Sequence, residues 1–211
     1  MATMHGPGDL VGGRYEVIEF ISEGGMQEVY RASDELLRRT VALKAPKNAS
    51  AKKRFQGSAV VSARINHPNV AKTLDYFETA ERAYLVEELI EGKDLGRILT
   101  EFFDFVDPYL AAMVFHHLAR GIAASHHSDV IHRDLKPNNV MVVGGEYFRG
   151  VKITDFGIAK MAEEEIDEAV EKGDAQSFES SRTALGAIPY MAPEVIEGKP
   201  QKASDIWRSV P

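Results

Sequence analysis

Three side chains in one short stretch are of types that could do chemistry together. In His132-Arg133-Asp134-Leu135-Lys136-Pro137-Asn138-Asn139-Val140, a carboxylate, an ammonium and a carboxamide stand within six residues. Asp134 could accept a proton from a hydroxyl nucleophile, and Lys136 could neutralise a migrating phosphoryl group. Asn139 offers a neutral oxygen to a hard cation such as Mg²⁺. Pro137 and the two asparagines favour a loop over a helix. Further on, Val151-Lys152-Ile153-Thr154-Asp155-Phe156-Gly157 alternates like a strand and ends in an Asp-Phe-Gly turn. Asp155 is thus a second carboxylate suited to a metal. A solvated Pro/Asn loop would explain the first stretch alone but not the two together.

The two stretches resemble the catalytic loop and the metal-binding Asp-Phe-Gly of the eukaryotic-like (bacterial-type) serine/threonine protein kinases. The spacing from Asp134 to Asp155 is 21 residues. The resemblance implies an α+β, bilobal kinase-like fold, with a small β-rich N-lobe over residues 10–90 and a helical, incomplete C-lobe over 91–211. Residues 1–9, polar and Gly/Pro-containing, are expected to be a disordered start. The chain resembles a C-terminally truncated catalytic domain. Ser204-Asp205-Ile206-Trp207 is similar to the start of the helix that anchors the larger lobe. Asp205 would brace the catalytic loop, and the usual arginine partner of Glu194 is missing.

The resemblance also implies a nucleotide site. Ser22, Gly24, Gly25 and Val29 fall in a glycine-rich loop over the ATP phosphates, where only Gly24 and Val29 match the family pattern. Ser22 and Gln27 stand where glycines are usual, at roughly 1 kcal/mol per site if positive φ is needed there. Lys44, ending Val41-Ala42-Leu43-Lys44, would meet the α- and β-phosphates. Ala42, Val29 and Met141 would enclose the adenine, and Glu88 and Leu89 would offer hinge backbone groups. Asp134 and Lys136, with Lys44, are the implied catalytic residues, and Asn139 and Asp155 the implied Mg²⁺ ligands.

Three departures bear on mechanism. The regulatory helix, expected over 52–65, has Ser58 where the glutamate partner of the lysine normally sits, and no Asp or Glu lies between Ser50 and Asp75. Glu87 falls at the usually apolar gatekeeper position. Either it pairs with Lys44 in place of the missing glutamate, or a register slip turns it to solvent. Ala187 replaces a threonine that usually bonds the catalytic aspartate. In the long activation segment, Ser180, Ser181 or Thr183 could take a phosphate that docks on Arg133.

The elements that must position these groups read simply. Strands are expected from Tyr15, over 73–77 and over 83–89. A helix is expected over 108–127, where Leu110, Met113, Val114, His117, Leu118, Gly121 and Ile122 share one face. The pairs His116-His117 and His126-His127 point in different directions on a helix, which argues against a metal site. Asp94 lies near the expected ribose position but is of a type that caps helices.

Composition bounds the function class. With 211 residues and a net charge of −7, the chain lacks the basic balance of a general nucleic-acid binder. Zero cysteines exclude disulfides and thiolate chemistry and fit a cytoplasmic setting. No apolar run reaches the roughly 18 residues of a membrane helix. The expected partners are proteins with Ser/Thr acceptors, together with a second copy for trans-autophosphorylation, and the expected cofactors are ATP and Mg²⁺. The rival reading is a pseudokinase or regulatory nucleotide- or partner-binding module. A small-molecule kinase fits the long segment before Ala192-Pro193-Glu194 less well.

Overall fold

The computed structural model describes residues 3–24, 27–48, 52–102, 107–144, 148–156, 192–197 and 199–207. The chain forms two compact units. Among described residues the first holds 3–63 and 73–89, and the second holds 64–72, 90–156 and 192–207.

The first unit is built on a six-stranded antiparallel sheet. Its strands are β1 (Leu10–Val11), β2 (Tyr15–Glu23), β3 (Gln27–Asp34), β4 (Arg39–Pro46), β5 (Thr73–Glu78) and β6 (Ala83–Glu88), in the order β1-β2-β3-β4-β6-β5. Among the described residues one helix, α1 (Lys52–Ser62), accompanies it and ends three residues before the expected limit of 65. Alternation in β2 and β3 sends Tyr15, Val17, Tyr30 and Ala32 into a core with Val41, Leu43, Tyr84 and Val86. Phe77 stacks between Tyr15 and Tyr84, with ring centroids 5.2 and 5.0 Å apart. At one end Arg14 grips Asp34 with two hydrogen bonds of 2.8 Å and reaches Asp75 at 3.0 Å. Asp34 is fully buried, and the Arg14 guanidinium lowers its pKa to about 2.

Residues 3–9 are not a loose start. Met4 N–H donates to Glu28 at 3.0 Å, His5 N–H donates to the Tyr30 hydroxyl, and the His5 ring bonds the Tyr84 hydroxyl at 3.1 Å. Backbone bonds from Gly8 to Val17 and from Val17 to Asp9 fix the path, and the Met4 side chain packs on the core. The strain expected at Ser22 and Gln27 is also absent. Both lie inside strands, and neither is among the described residues with positive φ.

The second unit packs helix α3 (Pro108–His127) beside a three-stranded sheet of β7 (Gly92–Asp94), β8 (Val140–Val143) and β9 (Gly150–Ile153). Helix α2 (Leu95–Phe102) and a short α4 (Pro193–Ile196) also belong to it. Asp107 caps α3 by accepting from Tyr109 and Leu110 N–H, with Pro108 in the first turn. Val114, Leu118, Gly121, Ile122 and Ser125 form its buried stripe. Gly121 is required by close approach, because a Cβ there would sit 2.8 Å from Ile153 and 2.9 Å from the Asn69 carbonyl oxygen. Three of the four α3 histidines have hydrogen-bond partners: His117 accepts from the Asn69 amide, His126 bonds Asp205, and His127 bonds the Ala123 carbonyl.

Candidate active site

The second unit assembles the catalytic loop around two buried anchors. Asp205 sits in a short 3-10 turn (Lys202–Ile206), where its two oxygens accept the His132 and Arg133 backbone N–H groups at 2.9 Å each. It also bonds the His126 ring at 2.8 Å. His132, fully buried, is the second anchor. Its Nδ1 accepts from Asp134 N–H, so the Nε2–H is the donor to the Thr154 carbonyl at 2.9 Å. That bond ties the catalytic loop to the residue preceding Asp155, and the His132 ring lies 4.5 Å from that of Phe156. Arg133 and Asp155 both hold positive φ, 69° and 65°. Non-glycine residues in that region cost about 1 kcal/mol each, a strain that this bracing sustains.

The chemistry-bearing side chains converge within that frame. Asp134 Oδ2 accepts from Lys136 Nζ at 2.8 Å and from the Asn139 amide at 3.1 Å, and the same amide donates to the Asp134 carbonyl at 2.7 Å. One carboxylate oxygen is thus pinned. The other, Oδ1, is buried and has no hydrogen-bond partner among the described residues. A buried acceptor left open costs free energy unless something donates to it. A substrate hydroxyl would satisfy it.

Asn139 uses its amide nitrogen on Asp134, which leaves the amide oxygen as its group for a cation. Its backbone carbonyl accepts from Thr154 N–H at 2.9 Å, setting Asp155 one residue further along the neighbouring chain. Strand β9 leading there is held on both sides, paired to β8 and bonded through Ile153 to Asn69 and Ala71. One carboxylate and one amide oxygen fit Mg²⁺, which takes few protein ligands and completes its shell with phosphate and water oxygens. They do not form an all-protein cage. Met141, half-buried in β8, pairs with Asp94, which caps α2 at Arg97 N–H and accepts from Asn138 at 3.0 Å.

In the first unit, Lys44 Nζ and Glu87 Oε2 form an ion pair of 2.5 Å, the two side chains only 6% and 5% exposed. Ala42 is opposite Glu87 and Val29 opposite Lys44 in the sheet register. Glu87 therefore faces Lys44, not solvent. Ser22 pairs with Val29 in the hairpin that ends at Gly24, whose N–H donates to the Gln27 carbonyl. Glu88 and Leu89 are half-buried at the end of β6. Gly25, Ser177 to Thr183 and Ala187 lie outside the described residues.

Two supports escaped the sequence reading. Ser204 donates to Glu194 at 2.6 Å, holding that carboxyl below its usual range. His126 shares Asp205 with the catalytic loop. Its signal was its place at the end of α3, five residues before Ile131, where the chain enters the loop.

Comparison with known proteins agrees with this architecture. Residues 15–209 match the protein kinase domain. A probable serine/threonine-protein kinase, PknB of Corynebacterium glutamicum, is 32% identical over 94% of this chain and 30% of its own length. PrkC of Bacillus subtilis is 30% identical over 95% of the chain and 30% of its own length. PknA of Mycobacterium tuberculosis is 32% identical over 95% of the chain and 46% of its own length. The chain thus spans about a third to a half of these relatives. The crystal structure of the Mycobacterium tuberculosis PknI kinase domain shares the fold, with a TM-score of 0.69 at 23% identity, covering 97% of this chain and 72% of that one. Because the family match spans residues 15–209, the chain belongs to the protein kinase family, among relatives named as serine/threonine kinases.

Proposed function

We infer that this chain transfers the γ-phosphoryl group of Mg²⁺·ATP to serine and threonine hydroxyls of proteins. The observation that carries the reading is the divided Asp134 carboxylate, with Oδ2 fixed by Lys136 and Asn139 and Oδ1 buried and, among the described residues, without a hydrogen-bond partner. The acceptor oxygen forms the new P–O bond as the bond to the β-phosphate oxygen breaks, and its proton passes to Asp134 Oδ1. ADP leaves with the broken bond's electrons. Lys136 supplies positive charge beside the moving phosphoryl group, and Lys44 holds the nucleotide phosphates. Asp155 and Asn139 would hold Mg²⁺, which supplies charge neutralisation on the phosphate oxygens. Positioning and charge carry such a reaction, since little covalent work falls to the protein.

Ser180, Ser181 and Thr183 are the proposed self-modification sites, reached in trans by a second copy. The cysteine-free sequence supports a cytoplasmic setting, and among described residues no helix is long and apolar enough to cross a membrane. The test is phosphate transfer from Mg²⁺·ATP read by mass spectrometry, for the wild type and Asp134→Asn. Transfer to Ser/Thr in the wild type, reduced by two to four orders of magnitude (about 10²–10⁴-fold) in the variant, is expected. Nucleotide binding without transfer in the wild type would favour a regulatory binding module instead.

A further inference from the structure

The carboxylate that faces Lys44 stands on the sheet. Ala42 is opposite Glu87 and Lys44 opposite Leu85, so Lys44 and Glu87 are diagonal neighbours on one face of adjacent strands. Their 2.5 Å contact is almost wholly removed from water. There a charge pair is strongest and an unmatched charge costliest. Helix α1, by contrast, holds no acidic residue, and its buried position 58 is a serine.

We propose that Glu87 is the positioning residue for Lys44, so that the ammonium meeting the nucleotide phosphates is set by a carboxylate of the sheet and not by one of α1. This rests on the kinase reading and deepens it. Strand β6 lies between β4 and β5, with Glu87 paired to Ala42 on one side and Thr73 on the other. An inner strand cannot shift without breaking two ladders, whereas a helix packed on a sheet can. Folding of the sheet therefore completes the pairing of Lys44 with its carboxylate.

The experiment is steady-state kinetics with a peptide acceptor, with melting temperatures recorded, for wild type, Glu87→Gln, Glu87→Asp, Ser58→Ala and Asp134→Asn. Glu87→Gln should raise KM for ATP and lower kcat/KM on the order of tenfold, with KM for the peptide unchanged. Glu87→Asp, which keeps the charge but withdraws it by one methylene, should fold and give an intermediate KM for ATP. Ser58→Ala should keep the wild-type value. A wild-type KM for ATP in either folded Glu87 variant overturns the assignment, as does an equal rise in Ser58→Ala. Asp134→Asn should lose transfer yet bind ATP as the wild type does. If the wild type neither binds ATP nor transfers phosphate, the kinase reading falls and takes the assignment with it. If the wild type transfers and Glu87→Gln matches it, only the assignment falls.

Discussion

The Lys44–Glu87 pair shows how one residue can reverse the expected cost of a neighbour. A carboxylate in an apolar strand is unfavourable alone, and so is a buried ammonium, but each is the other's partner at 2.5 Å. Removing one member should therefore hurt more than removing both. Lys44→Met, which leaves Glu87 buried without the ammonium it faces, should lower stability by about 3–5 kcal/mol. Lys44→Met with Glu87→Leu should recover most of that loss, because similar-sized apolar side chains fill the space. Urea unfolding of the two single variants and the double measures the coupling, and additive losses would show that the pair is not what holds these charges in place.

At the scale of elements, helix α3 packs against β9 through Gly121, and that contact is where the catalytic loop's supporting strand is set. Gly121→Ala improves helix propensity by nearly 1 kcal/mol in isolation. In place, its Cβ meets the Ile153 side chain and the Asn69 carbonyl, which is backbone and cannot swing away. The net effect should be a loss of about 1–3 kcal/mol, seen as a lower melting temperature, because overpacking against backbone outweighs propensity. These elements were largely legible in the sequence. Loose alternation from Tyr15 marked β2, the helical stripe marked α3, and the stretch from His132 to Val140 stood out by residue type and spacing. What stayed hidden were bonds between positions far apart in sequence. Met4 and His5 dock on Glu28, Tyr30 and Tyr84 through groups that leave no local pattern. The Ser204 bond to Glu194 was equally silent, since a serine one residue before Asp205 reads as ordinary loop. Glu87 lay between: its type was anomalous for its position, but the strand register alone could not be known well enough to choose its face.

Across the whole molecule, both units bury groups whose protonation opposes the fold, so stability should fall with acid in two steps. His5 in the first unit, and His67 and His117 in the second, have pKa values lowered from 6.5, chiefly by burial. Unfolded, these rings take up protons more readily, so the unfolded state gains as pH falls below 6.5 and stability begins to drop. Asp34 governs the second step. Its folded pKa is depressed from 3.8 to about 2 by Arg14, so its contribution is complete above 3.8 and is lost as pH falls from there through 2. Asp34→Asn cannot accept the two guanidinium bonds as a charged pair, and Arg14 and Tyr15 then share only Asp75. The variant should be less stable at neutral pH, and its stability should no longer change between pH 3.8 and 2 on account of this group. Urea midpoints followed by circular dichroism at unit steps from pH 8 to 2 test both windows. A wild type with flat stability below pH 4, or an Asp34→Asn curve parallel to wild type there, would mean that the Arg14–Asp34 clamp does not govern acid unfolding of the sheet.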